Sequence, residues 1–245
     1  MNIRGIGHRG YPVKYPENTM SSFQAAIALG YTHMELDVHL SKDGVPVVMH
    51  DSRIDRMTDG TGEIRLYTLS ELKNFRVEQN ERIPTLEEVL LLAKDQIIVS
   101  IELKDTKLYK GIEEKVYEVI QKVGMLDQVY VISFNHRSLA ILREISKEIK
   151  IGPLVSKLKR SHFRLIERLN AAYIAVKQSS VDEKCIKKCE AEGIQLVVWT
   201  VNNVERMRFF KKYPSVLVTT DELEILKEVY HPSSYTNNIL EKISV

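Results

Sequence analysis

The chain predicts a (β/α)8 barrel of the TIM type, with an early β-hairpin and a small insertion after it. Three observations lead there. Short, β-branched apolar runs alternate with amphipathic helical patterns along the chain. One further run follows its predecessor too closely for a parallel crossover, which needs roughly a dozen residues or more. Setting that run aside leaves eight βα units, the count of a closed barrel. Alternation alone fits a doubly wound open sheet as well, so the count is what favours closure.

The runs fall at 3–7, 33–38, 97–102, 129–133, 151–155, 172–177, 195–200 and 216–219. Helix signals lie between them. A helix over 19–29 stops at Gly30, Thr85 opens a capping box with Glu88, Asn135 and Asp182 precede further helices, and the last of these stops at Gly193. The odd run is 45–50, and Asp43-Gly44 before it suits a two-residue hairpin turn. Such a turn pairs Lys42 with Val45 and therefore Asp37 with His50. Residues 52–84 show no βα repeat and read as a long loop or lid-like insertion. The tail "HPSSYTNNILEKISV" reads as a loop and a short helix. Nothing suggests a linker, so 1–245 reads as one domain with an insertion at about 52–84.

The formal net charge of +2 is too small to argue for nucleic acid or an anionic membrane as the main partner. No run approaches the roughly 18 apolar residues of a membrane span, and "MNIRGIGHRG" lacks a signal-peptide core. Cys185 and Cys189, four apart on a helix, read as reduced thiols, because a structural metal site needs more ligands. The expectation is a cytoplasmic protein acting on a small molecule, without stable membrane insertion; its oligomeric state stays open.

The chemistry concentrates in "HMELDVHLSKDGVPVVMHD", residues 33–51. Glu35 and Asp37 are two apart on a strand and share a face. Glu102 lies near the end of "IIVSIELKD", the strand end where barrel enzymes hold their chemistry. Three carboxylates in one cavity repel unless protonated or joined by a cation, and oxygen ligands favour a hard ion. Ordinary ion pairs with Lys104, Arg9 or Arg56 account for the same residues, and spacing does not separate the two readings. His8 and Arg9 close the first strand. Two imidazoles beside a cation suit proton transfer near neutral pH, and Arg9 and Lys104 suit a phosphate. His33 and His39 read as structural.

In their order along the chain these motifs resemble the glycerophosphodiester phosphodiesterases: "HRG" 8–10, "PENT" 16–19, "SFQAA" 22–26, "ELDV" 35–38, "KDGVPVVMHD" 42–51, "IPTLEEVL" 83–90, "IELK" 101–104, "SF" 133–134, "WTVN" 199–202 and "TD" 220–221. The resemblance implies a barrel related to phospholipase-C-like phosphodiesterases. It implies a divalent cation, Mg²⁺ or Ca²⁺ with Mn²⁺ as a third choice, on Glu35, Asp37 and Glu102. It makes His8 and His50 the acid/base pair and Arg9 and Lys104 the phosphate contacts. "RMT" at 56–58 and "VLVTTDEL", without the usual Gly and Pro, depart from the family pattern.

The implied reaction is metal-dependent cleavage of glycerophosphodiesters to glycerol 3-phosphate and an alcohol, with water or a glycerol hydroxyl as nucleophile. Trp199 and Phe134 are candidates for contact with the glycerol carbons, and Tyr11, Lys14 and Tyr15 for the pocket border. "SKLKRSHFR", 156–164, reads as a solvated helix start, with attraction of anionic headgroups as its second reading. Phospholipase-D-like cleavage of lysophospholipids and a non-catalytic phospholigand-binding barrel are the alternatives.

Overall fold

The computed structural model describes residues 2–104 and 107–232. The strands are β1 (Ile3–Gly7), β2 (Tyr31–Leu40), β3 (Pro46–Val48), β4 (Ile98–Leu103), β5 (Val129–Ser133), β6 (Lys150–Val155), β7 (Tyr173–Lys177), β8 (Gln195–Trp199) and β9 (Leu217–Thr220). The helices are α1 (Met20–Ala28), α2 (Leu69–Leu72), α3 (Leu86–Ala93), α4 (Ile112–Val123), α5 (His136–Ile145), α6 (Arg160–Leu169), α7 (Glu183–Ala191), α8 (Val204–Lys211) and α9 (Leu223–Tyr230).

All strands but β3 run parallel, in the order β1-β9-β8-β7-β6-β5-β4-β2, and β1 pairs with β2 to close the barrel. Closure decides between the two folds that alternation allows. Side chains facing inward form one cluster, with Ile6, Tyr130, Ile132, Leu154, Ala175, Val197 and Leu217 at its centre. The outward faces pack under the helices in a larger core that includes Leu36, Val99, Ile101, Val131 and Val198. Strands covered on both sides explain why these runs are apolar at nearly every position.

The helix ends fall where the capping residues place them. Thr19, Asn135 and Asp182 each accept a backbone N–H of the first turn, and Thr85 and Glu88 form the reciprocal box. Gly30 and Gly193 take φ of 82° and 66°, the left-handed region that ends a helix cheaply.

The hairpin differs from expectation by one residue. Val38 pairs with Val48 and His39 with Val47, and Asp37 faces Met49 rather than His50. The turn holds three residues, not two. The Ser41 N–H donates to the Val45 carbonyl, the Ser41 carbonyl accepts from the Gly44 N–H, and Gly44 stands third with φ 78°. Ser41 Oγ fixes this turn by accepting from the Val45 N–H (2.9 Å) and donating to Asp43 Oδ1 (2.6 Å).

Residues 52–84 are not a bare loop. They contain α2, with its own capping box between Thr68 and Glu71. Ile54, Ile64, Leu72, Val77 and Ile83 pack on Val47 and Met49 of the hairpin in a separate apolar cluster. Beyond residue 232 the expected terminal helix lies outside the described residues. No helix among the described residues is long and apolar enough to cross a membrane.

Candidate active site

The turn after β1 forms the first wall. Arg9 and Gly10 both have left-handed backbone, φ 56° and 86°. A Cβ on Gly10 would lie 2.4 Å from Ser22 Oγ and 2.7 Å from the Ser22 carbonyl carbon, so glycine is required. Arg9 carries a Cβ, and its conformation costs about 1–2 kcal/mol. Three hydrogen bonds of 3.0 Å hold it: its N–H donates to Glu35 Oε2, and its carbonyl accepts from the Asn18 N–H and the Ser22 hydroxyl.

The second wall is acidic. Asp37 stands beside Glu102 in the β2–β4 register, and Glu35 beside Ser100. One carboxylate oxygen from each of Glu35, Asp37 and Glu102 lies within 4.8 Å of the others. Lys104 Nζ sits 3.0 Å from Glu102 Oε1 and 3.6 Å from Asp37 Oδ1, and Arg9 Nε lies 3.4 Å from Asp37 Oδ2. Asn18 Nδ2–H donates to Asp37 Oδ2 at 2.9 Å. The ion pairs are therefore real, yet they leave the cluster short of positive charge. Arg9 is shared with Glu17 at 3.0 Å, and Glu35 receives only a backbone N–H in its immediate surroundings. Burial, then the Asp37 charge, pushes the carboxyl groups of both Glu35 and Glu102 above the usual carboxylate range. Three carboxylate oxygens so close together, two of them on buried residues, fit a hard divalent ion, and a cation there would relieve both effects.

Each of the two histidines is held at Nδ1 by a carboxylate. His8 Nδ1–H donates to Asp221 Oδ1 at 2.7 Å, and Asn202 Nδ2–H donates to the other Asp221 oxygen at 2.6 Å. His50 Nδ1–H donates to Asp51 Oδ1 at 2.7 Å. Arg56, from the insertion, bridges Asp51 and Glu17 at 2.6 Å each. Behind His50, opposite charges thus alternate from Asp51 through Arg56, Glu17 and Arg9 to Asp37. With Nδ1–H engaged, Nε2 is the nitrogen left to face a substrate.

The surroundings drive the two imidazoles apart. Burial lowers the His8 pKa, but the Asp221 hydrogen bond and the Glu35 charge outweigh it, and the net direction is up. For His50 burial is again the largest influence, and here it prevails over Asp37, so the direction is down.

His50 reaches the site although the hairpin register is not the expected one. Strand β3 ends at Val48, two residues earlier, and the chain bends. His39 Nε2–H then donates to the His50 carbonyl at 3.1 Å, which gives the structural histidine a definite task. His33 is buried under the cleft, beside Thr32 Oγ1 (2.8 Å) and edge-on to Tyr130.

These walls bound a cleft of about 140 Å³ at the C-terminal end of the barrel. His8, Arg9, Glu35, His50, Glu102 and Lys104 line one side; Ile132, Phe134, Leu154, Ala175, Val197 and Trp199 line the other. Phe134 and Trp199 meet edge to face, 5.8 Å apart at 89°. All nine candidate residues therefore gather here, with Asp37 buried just behind the lining. Tyr11, Lys14 and Tyr15 do not border the cleft: Tyr11 is buried, and Lys14 pairs with Glu224 at 2.5 Å. Cys185 and Cys189 are free thiols on α7, away from the cleft lining. Sequence reasoning gave no role to Asp51, Asp221, Asn18 or Asn202. All four stand in the quoted motifs, Asn18 in "PENT", Asp51 in "KDGVPVVMHD", Asn202 in "WTVN" and Asp221 in "TD", a signal of position but not of partner.

A profile of the Glycerophosphoryl diester phosphodiesterase family matches residues 8–225. A glycerophosphodiester phosphodiesterase of Caldanaerobacter subterraneus subsp. tengcongensis is 35% identical over 230 residues, covering 90% of this chain and 95% of its own. Among solved structures, an Oleispira antarctica phosphodiesterase in complex with the product sn-glycerol-3-phosphate superposes with a TM-score of 0.86. It is 28% identical and covers 92% of this chain and 96% of its own. A Thermotoga maritima glycerophosphodiester phosphodiesterase gives 0.77 at 30% identity, covering 94% and 99%. Fold, ordered motifs and near-complete coverage agree: the chain belongs to the glycerophosphoryl diester phosphodiesterase family.

Proposed function

We propose that this phosphodiesterase hydrolyses glycerophosphodiesters to glycerol 3-phosphate and an alcohol, with Glu35, Asp37 and Glu102 holding one Mg²⁺ or Ca²⁺ and His50 and His8 moving the protons. The observation that carries the reading is the cluster of three carboxylates, Glu35 and Asp37 buried and Glu102 partly so, at a cleft that two Nδ1-anchored imidazoles also line. The product bound to the Oleispira relative supports the choice of substrate class. We take residues 1–245 as one barrel domain, whose insertion at about 52–84 supplies Arg56 to the network behind His50.

When bound, the cation would polarise the phosphoryl group and offset the charge that builds in the transition state. Arg9 and Lys104 orient the phosphate by charge-assisted hydrogen bonds. His50, whose pKa is lowered, is the neutral base: its Nε2 takes the proton of the attacking hydroxyl as the new O–P bond forms. His8, whose pKa is raised, is the acid: its Nε2–H protonates the alkoxide as the old P–O bond breaks. An attacking water gives glycerol 3-phosphate directly, whereas the glycerol hydroxyl gives a cyclic phosphate that water then opens. Both routes use the same two nitrogens. Phe134 and Trp199 pack on the apolar carbons of the substrate.

The decisive experiment measures glycerol 3-phosphate release from glycerophosphocholine, glycerophosphoethanolamine and glycerophosphoglycerol, before and after EDTA treatment and with Mg²⁺ or Ca²⁺ returned. Turnover that is lost on chelation and restored by the metal is expected. Absence of turnover on every diester, or turnover indifferent to complete metal removal, would overturn the reading.

A further inference from the structure

The loops that follow β4 to β7 carry a charge pattern that the reaction does not use. The segments after β5 and β6, residues 134–137 and 156–160, hold Arg137, Lys157, Lys159 and Arg160 and no acidic residue. Lys177 ends β7, whose connection to α7 carries one acid, the capping Asp182. These five cations are exposed, as is Lys107 after β4, and none forms an ion pair among the described residues. Lys159 and Arg160 also open α6, where the helix dipole disfavours positive charge. The sequence accepts that cost without a compensating carboxylate nearby on the helix: the first turn of α6 has none.

The loops form one continuous arc. The His136 and His162 rings meet edge to face at 6.0 Å, joining the β5 loop to the start of α6. The Ser180 hydroxyl donates to the Ser156 carbonyl at 2.7 Å, joining the β7 loop to the β6 loop. Lys107, Leu108 and Phe134 line one groove that shares Glu102, Lys104 and Phe134 with the catalytic cleft. Within the arc Leu108 and Phe134 are 52% and 51% exposed. The opposite side of the mouth has the reverse charge: 200–204 and 220–224 contain Asp221 and two glutamates but no lysine or arginine.

We propose that this arc is a docking surface for an anionic lipid bilayer, on which the enzyme sits with β4–β7 down and the β8–β9 side turned away. Unpaired cations interleaved with exposed apolar side chains match a headgroup region, which takes charge at its surface and apolar groups just beneath. A polyanion without an apolar layer has no use for the exposed Leu108, which does not line the catalytic cleft. The net charge of +2 hides the surface because the acidic sector cancels it in the sum. Docking of this kind is peripheral and reversible, and it brings the cleft rim to the headgroups. It does not depend on the catalytic assignment.

The test is cosedimentation of the whole chain with vesicles of phosphatidylglycerol and phosphatidylcholine mixed, against vesicles of phosphatidylcholine alone. Binding to the mixed vesicles that weakens with added salt is expected. Each cation near such a surface contributes about a fivefold factor, so K157E/K159E/R160E should lower the partition coefficient by about 100-fold or more. Leu108→Asp should lower it several-fold further, by roughly the loss of one apolar side chain from the interface. Hydrolysis of a soluble diester by the triple variant should keep its wild-type rate and KM, which reports an intact barrel. Equal partition of the wild type onto both vesicles, no partition onto either, or an unchanged partition of the triple variant would each overturn the proposal. So would a triple variant whose only defect is a raised KM for the soluble diester, because the cations would then serve the small anion.

Discussion

The two sides of the barrel mouth are built from the same strand–loop–helix unit and have opposite chemistry. From β1, β2, β4 and the bend after β3 the cleft receives two histidines, acids and bases; from β5 to β8 it receives Ile132, Phe134, Leu154, Ala175, Val197 and Trp199. The difference follows from the range of electrostatics in a protein. Carboxylates that share a cation must stand within a few ångströms, and only neighbouring strands bring inward side chains that close. Once three adjacent strands carry the charge, the remaining strands are free to be apolar. Their low polarity in turn strengthens the interactions across the cleft. The charged side is also the cross-braced one, from His50 through Arg56 and Glu17 to Arg9. The apolar side is held by packing and by isolated hydrogen bonds such as Ser180 Oγ to the Ser156 carbonyl, with no comparable chain of ion pairs among the described residues.

The comparison breaks first on the charged side. Glu35→Gln should reduce turnover by about 1,000-fold or more, and added Mg²⁺ or Ca²⁺ should not restore it. Stability should respond in the opposite sense. Burial and the neighbouring carboxylates strain Glu35 in the metal-free protein, so the amide should hold or raise the metal-free Tm, by about 1 kcal/mol of stability. Thermal melts in EDTA check this. A large loss of metal-free stability would mean that Glu35 works chiefly as an ion-pair partner. His50→Ala should cost about 100- to 10,000-fold in kcat with metal binding kept, since it removes a proton-transfer group only. A near-normal rate would remove His50 from the mechanism.

Asp221→Asn sharpens the assignment of acid and base. Asp221 raises the His8 pKa, and a protonated acid is lost as pH rises through that value. Removing the carboxylate lowers the pKa, so the alkaline limb of the kcat/KM profile should move to lower pH, while the acid limb, set by His50, stays. Movement of the acid limb instead would exchange the two roles. A cation on the carboxylates offsets the influence of Glu35 on His8 but leaves the Asp221 bond intact, so the direction holds for the loaded enzyme.

The two sides also differ in how far the sequence reveals them. The charged side was legible because carboxylates and imidazoles in strands covered on both faces need a reason, and strand alternation put Glu35 and Asp37 on one face. Its fine geometry was less so. A two-residue turn at Asp43-Gly44 looked sufficient, but the Ser41 hydroxyl and the positive φ of Gly44 set a three-residue turn, and the bend after Val48 re-aims His50. Asp221 stood in plain view in "TTD", yet it meets His8 across 213 residues and only through closure of the barrel. Arg56 reaches Asp51 and Glu17 because the insertion builds a small apolar core of its own, which shows no βα repeat to read. The apolar side left almost no trace, because Ile132, Leu154 and Val197 are what any barrel interior would hold. Phe134 and Trp199 stood out only as aromatic residues at strand ends.

That low legibility makes Trp199 the most discriminating, though the smallest, of these tests. Its ring lines the cleft and meets Phe134 edge to face, and its Nε1–H is buried without a hydrogen-bond partner among the described residues. If the ring only fills the barrel top, Trp199→Phe keeps most of the packing and should leave KM and kcat alone, and Trp199→Ala should cost about 3 kcal/mol of stability through its cavity. If it packs on substrate carbons, Trp199→Ala should raise KM by about 10-fold, the value of one lost apolar contact, with kcat nearly unchanged. Trp199→Phe separates a third possibility. It keeps the apolar face and removes the N–H, so a rise in KM in that variant alone would mean that the indole donates to a substrate oxygen. The apolar side would then not be apolar throughout. We expect the second pattern, with Trp199→Phe close to wild type, because Ile132, Phe134, Leu154, Ala175 and Val197 turn carbon side chains to the cleft and the hydroxyls of Thr200 and Thr219, which also line it, can serve a substrate oxygen without the indole.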